Sequence, residues 1–190
     1  FLSSHTHALY LGAQHLLKSD DQGRSWKPAS PDLTAGKDKT RTALALSAVV
    51  ESPIKAGLLY AGTDKGQFWM TRDGGTTWME QTGLPAAYIR CIEPSRFRES
   101  RVYAVLSGLN YDDFGTHVYK SDDYGKSWEK ITANLPSETA YVIKEDPRHE
   151  HVLFAGLYRA IYISTDRGKT WSQFGTGMPA TAISDIEFDD

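Results

Sequence analysis

One cysteine in 190 residues rules out an internal disulfide framework, so Cys91 leaves the redox compartment open. No apolar run approaches the roughly 20 residues of a membrane helix, and membrane insertion is not expected. No block of Lys or Arg stands behind the net charge of −3, which argues against nucleic acid and anionic membrane as partners. The six histidines (His5, His7, His15, His117, His149, His151) lack zinc-like spacing with a third ligand, so no metal is expected. Phosphate-loop patterns and a serine nucleophile elbow are missing too, and no cofactor is expected. No leader is visible, and Phe1 in place of Met points to a mature or excised piece. With 40% hydrophobic and 24% charged residues, the composition is that of an ordinary globular chain.

What the chain does have is an octet, four times over. Residues 19–26 (SDDQGRSW), 71–78 (TRDGGTTW), 121–128 (SDDYGKSW) and 164–171 (STDRGKTW) fit [S/T]-x-D-x-G-x-[S/T]-W without gaps. Their first positions lie 52, 50 and 43 residues apart, a period that marks a repeat architecture. Asp at the third position can close an Asx-type turn by accepting a backbone N–H two residues on. Gly two residues later supplies positive φ. Each Trp starts a strand and offers a large ring to the packing between sheets.

The octets resemble the Asp-box, or bacterial neuraminidase repeat, of β-propellers such as sialidases, xyloglucanases and sortilin-type domains. The resemblance implies that the box sits on the turn between third and fourth strands of each blade, away from any active site. Asp21, Gly23 and Trp26, Asp73, Gly75 and Trp78, Asp123, Gly125 and Trp128, and Asp166, Gly168 and Trp171 are then structural. Residues 62–66 (GTDKG) resemble the G-T-D-x-G-G stretch that carries a catalytic Asp in xyloglucanases, with Gln67 in place of the last Gly. The resemblance also favours a secreted or cell-surface protein.

Alternating runs before each octet (8–13, 58–63, 101–106, 151–156) are second strands, and 15–18, 67–70, 117–120 and 160–163 are third strands. Inner strands follow at 42–50, 87–92 and 140–144. The expected fold is all-β, a propeller of four-stranded antiparallel blades with about four blades present. Repeats run approximately over 1–35, 36–86, 87–136 and 137–180, with 181–190 an inner strand of the next or first blade. The chain is then an arc of a larger propeller whose flanks pair with blades of a parent chain, or a closed four-bladed ring.

Candidate chemistry lies on the face opposite the octets, where loops on a rigid scaffold collect binding residues. The stretch 110–117 (NYDDFGTH) interrupts the third repeat where its siblings have two or three residues, gathering Tyr111, Asp112, Asp113, Phe114 and His117. Its aromatics and polar groups suit a sugar; as a plain polar loop, its Asp residues would only cap a turn. His15, Tyr158, Arg159 and Tyr88 fall on the same face as further ligand-binding candidates. A glycosidase needs two carboxylates about 5–9.5 Å apart, and Asp64 with Asp112 or Asp113 is the pairing available. Arg41, Arg90 and Arg159 echo the arginines of sialidases, but no Tyr–Glu nucleophile pair accompanies them. The expected function is a non-catalytic module that binds a glycan or protein partner. The alternative is a glycoside hydrolase whose catalytic pair lies partly outside the chain.

Overall fold

A computed structural model describes residues 1–35, 45–175 and 177–188. Arg41 and the first residues of the inner strand expected at 42–50 lie outside them. The described residues form four antiparallel sheets in sequence order and no α-helix. Sheet one holds β1 (Leu9–Gly12), β2 (Leu16–Ser19) and β3 (Lys27–Pro28). Sheet two holds β4 (Leu46–Glu51), β5 (Leu59–Thr63), β6 (Phe68–Thr71) and β7 (Met79–Gln81). Sheet three holds β8 (Tyr88–Pro94), β9 (Val102–Gly108), β10 (Asp113–Ser121) and β11 (Glu129–Lys130). Sheet four holds β12 (Ala140–Glu145), β13 (Leu153–Leu157), β14 (Ile161–Ser164) and β15 (Ser172–Phe174). Each is an up-and-down meander, and together they form an arc of a β-propeller. In sheet one the inner position is reduced to a single bridge, Leu2 to Leu9.

The octets sit between third and fourth strands and share one geometry. The first hydroxyl donates to Asp Oδ1 at 2.8 Å from Ser19, 2.7 Å from Thr71, and 2.8 Å from Ser121 and Ser164. It also accepts the N–H of Gly23, Gly75, Gly125 or Gly168. The aspartate takes its backbone hydrogen bond from four residues on, not two: Ser25, Thr77, Ser127 and Thr170 donate their N–H groups to Oδ1 at 2.8–2.9 Å. Their hydroxyls donate to Oδ2 at 2.6 Å. The expected Asx turn is therefore replaced by a wider clasp, because the hydroxyl already takes the nearer N–H groups. Two consecutive residues have positive φ, the fourth position (Gln22, Gly74, Tyr124, Arg167) as well as the glycine.

Each later octet packs its Trp on the preceding sheet. Trp78 Nε1 donates to Ala29 O (2.9 Å) and Trp171 Nε1 to Ile131 O (2.8 Å). Trp128 meets Phe68 edge-on, with centroids 5.0 Å apart. Glycine at the fifth position permits this approach: a Cβ on Gly168 would stand 2.8 Å from the Ile131 side chain. Of the four rings expected in the packing between sheets, Trp171 is 4% exposed and Trp78 and Trp128 are half-buried, but Trp26 is 39% exposed, since no described sheet precedes its own. A closed four-bladed ring would have covered it with sheet four.

The far end points the same way. Residues 181–188 join no ladder, contrary to the inner strand expected there. They lie instead against sheet four, with Ile183 N–H donating to Leu157 O (3.0 Å) and Phe188 edge-on to Phe154. Gly156 makes room, since a Cβ there would stand 2.7 Å from Ile183 O. Gly62 makes room for Ile89 of the next sheet in the same way.

Sheet joints also carry charge on the octet face. The Arg101 side chain, 3% exposed, reaches Asp122 (2.6 Å) and Glu150 (2.9 Å), and Arg167 reaches Glu150 (3.2 Å). Glu145, buried, accepts from Ser95 Oγ (2.7 Å), Arg96 N (2.8 Å) and Tyr103 Oη (3.1 Å), joining sheets three and four.

Urea unfolding of Trp171→Ala is expected to show a loss of about 3–5 kcal/mol, the usual cost of removing a buried ring. Trp26→Ala is expected to change stability by only about 0.5 kcal/mol, as at other exposed positions. The clasps also set an acid limit. Hydrogen bonds from the seventh-position residue, first of all its hydroxyl, hold Asp21, Asp73 and Asp166 at about 2, below the ordinary 3.8. A folded-state pKa below the unfolded one contributes stability that is complete above about pH 4 and is lost as pH falls toward 2. Tryptophan fluorescence across that window is expected to report loosening of the sheet joints.

Candidate functional site

Antiparallel meanders put the octets and the inner hairpin turns at one end of the strands. The turns between second and third strands, and the links to the next sheet, are at the other. In sheet three that far end is not the polar loop insertion expected at 110–117. The strands lengthen into a hairpin: β9 runs to Gly108, Leu109–Tyr111 form a 3-10 turn, and Asp113 re-enters the ladder opposite Gly108. Asp112 ends the turn at φ 55°, and the register shifts between Asp113 and His117. Bulges of this sort turn side chains out of the ladder.

Asp113 holds the hairpin together. Its Oδ1 accepts Gly115 N–H at 2.8 Å and its Oδ2 stands 2.8 Å from His117 Nε2. The Gly115 bond and His117 lower its pKa, in that order of size. Thr116 anchors the hairpin to the next link, accepting Glu138 N–H (3.1 Å) and donating to the Glu138 carbonyl (2.6 Å). Tyr111 and Phe114 are left projecting, 50% and 62% exposed.

Beside this hairpin lies an open groove of about 390 Å³ lined by Leu109, Phe114, Ser137, Glu138, Thr139, Tyr141 and Tyr158. Phe114 and Tyr158, from different sheets, form its rims. Tyr141 stands at the bulge of β12, between Ala140 and Val142, and Arg90, at the matching bulge of β8, lies over its ring at 4.2 Å. Glu138 Oε1 is buried there with no hydrogen-bond partner among the described residues. A buried acceptor without a donor is costly, about 1–3 kcal/mol.

The other candidates spread out. Lys65, beside Asp64, lies over the Tyr111 ring at 5.8 Å, so the 64–66 turn neighbours the hairpin. Gln67, where the resemblance has Gly, is 3% exposed and ties that turn to the Thr34 carbonyl (3.1 Å). Arg159 lines an adjoining groove with Glu138, Tyr162 and Met178. Tyr88 lines another, between inner strands, with Arg90, Tyr141, Lys144 and Asp185. His15 is separate: its Nδ1 is 3.2 Å from Ser30 O, an attachment within sheet one. Sequence reasoning missed Glu138, Thr139 and Tyr141; Tyr141 has a signal in the inner-strand alternation, whereas Glu138 has none.

A family model described as Sortilin-Vps10 (sortilin, neurotensin receptor 3) matches residues 116–190. The oligoxyloglucan-reducing end-specific xyloglucanase of Emericella nidulans is 30% identical over 131 residues, covering 59% of this chain and 15% of that protein. Vacuolar protein sorting/targeting protein 10 of Mycosarcoma maydis is 30% identical over 71 residues, 37% of this chain and 5% of its own length. The GH74 xyloglucanase from Xanthomonas campestris superposes with a TM-score of 0.69 at 19% identity, over 90% of this chain and 29% of that one. The chain is a sortilin-like, glycosyl-hydrolase-like propeller repeat protein. It spans a small part of the proteins it matches.

Asp113→Ala is expected to leave the sheets folded while releasing the hairpin tip. Hydrogen exchange should show faster exchange at Gly115 and neighbouring amides, corresponding to a loss of about 1 kcal/mol or less for a half-exposed clasp.

Proposed function

We propose that this segment is a non-catalytic binding module, with the octets acting as structural Asp-boxes and the opposite face presenting a glycan site. The groove between Phe114 and Tyr158 carries this reading. Two exposed rings, Phe114 and Tyr158, offer apolar faces to pyranose C–H groups, and Glu138 lines the same groove. Tyr111, also exposed, extends the surface toward Lys65. A protein ligand is the other partner of this reading, and a secreted or cell-surface setting accords with both.

Glycoside hydrolysis is the second reading, favoured by the xyloglucanase relative and by the nearness of the 64–66 turn to the hairpin. Against it, Asp113 Oδ1 already accepts Gly115 N–H and its Oδ2 stands 2.8 Å from His117 Nε2, so Asp64 with Asp112 is the pairing to test.

Isothermal titration against xylogluco-oligosaccharides, cello-oligosaccharides and sialosides tests the binding reading. Phe114→Ala and Tyr158→Ala are each expected to weaken binding about threefold to tenfold, the worth of one ring contact. Unchanged binding in the double variant would refute the groove. Hydrolysis of any of these sugars that Asp64→Asn abolishes with folding intact would refute the non-catalytic reading.

A further inference from the structure

Each four-stranded sheet carries one extra residue in its inner strand, at the same level of the ladder. Ser47 falls between Leu46 and Ala48, Arg90 between Ile89 and Cys91, and Tyr141 between Ala140 and Val142. A residue at such a bulge is turned out of the ladder. Ser47 uses this to reach the next sheet, its hydroxyl donating to Ile89 O at 2.7 Å. Arg90 takes the same step but lands on a ring, its guanidinium 4.2 Å from the Tyr141 centroid. A ring face holds the cation but takes none of the guanidinium N–H donors. Among the described residues no carboxylate or carbonyl takes them either, whereas Arg101 is held by Asp122 and Glu150.

Tyr141 lines two grooves. One is the groove of about 390 Å³ rimmed by Phe114 and Tyr158. The other, about 330 Å³, lies between the inner strands with Tyr88, Arg90, Lys144 and Asp185. Lys144 is matched by Glu93 at 3.1 Å, and Arg90 shares its groove with Asp185, so the second groove offers donors and acceptors without net charge. We propose that the two grooves form one track for an uncharged oligosaccharide. One end of the sugar seats between Phe114 and Tyr158, the chain crosses Tyr141, and its farther hydroxyls accept hydrogen bonds from Arg90 beside Tyr88. This rests on the glycan reading of the first groove and adds to it a second subsite that selects for chain length. Hydroxyl oxygens suit this guanidinium because the nearby Glu93 and Asp185 oppose an acidic sugar. Held over the Tyr141 ring, Arg90 loses little freedom on binding.

Isothermal titration with cellobiose, cellohexaose, xylogluco-oligosaccharides and sialyllactose tests this. Cellohexaose is expected to bind about tenfold tighter than cellobiose, the worth of one further charge-assisted hydrogen bond. Arg90→Met keeps an unbranched chain over the Tyr141 ring and removes the donors. It should keep its melting temperature and lose about tenfold in affinity for cellohexaose, with cellobiose unaffected. Tyr88→Ala probes the same subsite without touching the Arg90–Tyr141 contact, and should weaken cellohexaose alone by about threefold. Phe114→Ala should weaken both sugars. Equal affinity for the two sugars, with Phe114→Ala still harmful, overturns the second subsite and leaves the first groove standing. So does cellohexaose binding that Arg90→Met and Tyr88→Ala leave unchanged, or sialyllactose binding tighter than cellohexaose. Binding of none of these sugars overturns the subsite and the glycan reading together.

Discussion

The molecule depends on a clasp between one hydroxyl and one carboxylate, made four times. A Ser or Thr at the head of the octet binds the aspartate and takes the glycine N–H, while the aspartate binds both the N–H and the hydroxyl of the seventh residue. Three groups close a turn that holds two consecutive residues at positive φ, a conformation non-glycine residues resist. The following tryptophan therefore leaves the turn in a fixed direction. A local device within one sheet thus also decides how that sheet joins the one before it.

Because the clasps and the buried charges around Arg101 and Glu145 fasten one end of the strands, the opposite end is free to vary. Sheet three uses this freedom by extending β9 and β10 into a hairpin, and sheets two and four use it little. The hairpin is not loose. Asp113, Thr116 and the ladder pair with Gly108 hold it against the 136–138 link, so Phe114 is exposed on a fixed support. A ring held in place loses little conformational freedom on binding, which favours recognition.

The all-β class, the meander order and the strand positions were legible in the octets and in the period-2 alternation before them. So was the face on which variable loops lie. Three things were not. The clasp reaches four residues rather than two, because hydroxyls compete for the nearer N–H groups, and pattern alone does not reveal such competition. The stretch 110–117 looked like a polar loop because Asp, Gly and Asn are turn formers, yet pairing of Asp113 with Gly108 draws half of it into a strand. Glu138 was invisible, since an unsatisfied carboxylate oxygen is a property of three-dimensional surroundings. Trp26 shows the same limit, as it closes an octet of the same template as Trp171 and the neighbouring sheet separates their fates.

Asp113 and Glu138, both at the far end of the strands, sit in different surroundings. A catalytic acid or nucleophile must be free to exchange a proton or form a bond at the reacting carbon. The Gly115 N–H, and then the neighbouring His117, lower the pKa of Asp113, opposite to what a general acid requires. Glu138, by contrast, is half-buried at the groove, its Oε1 without a hydrogen-bond partner among the described residues. The groove is built from two sheets, with Phe114 on one and Glu138, Tyr141 and Tyr158 on the other. The hydrogen bond from Trp171 Nε1 to Ile131 O ties the same two sheets together at the octet end of the strands.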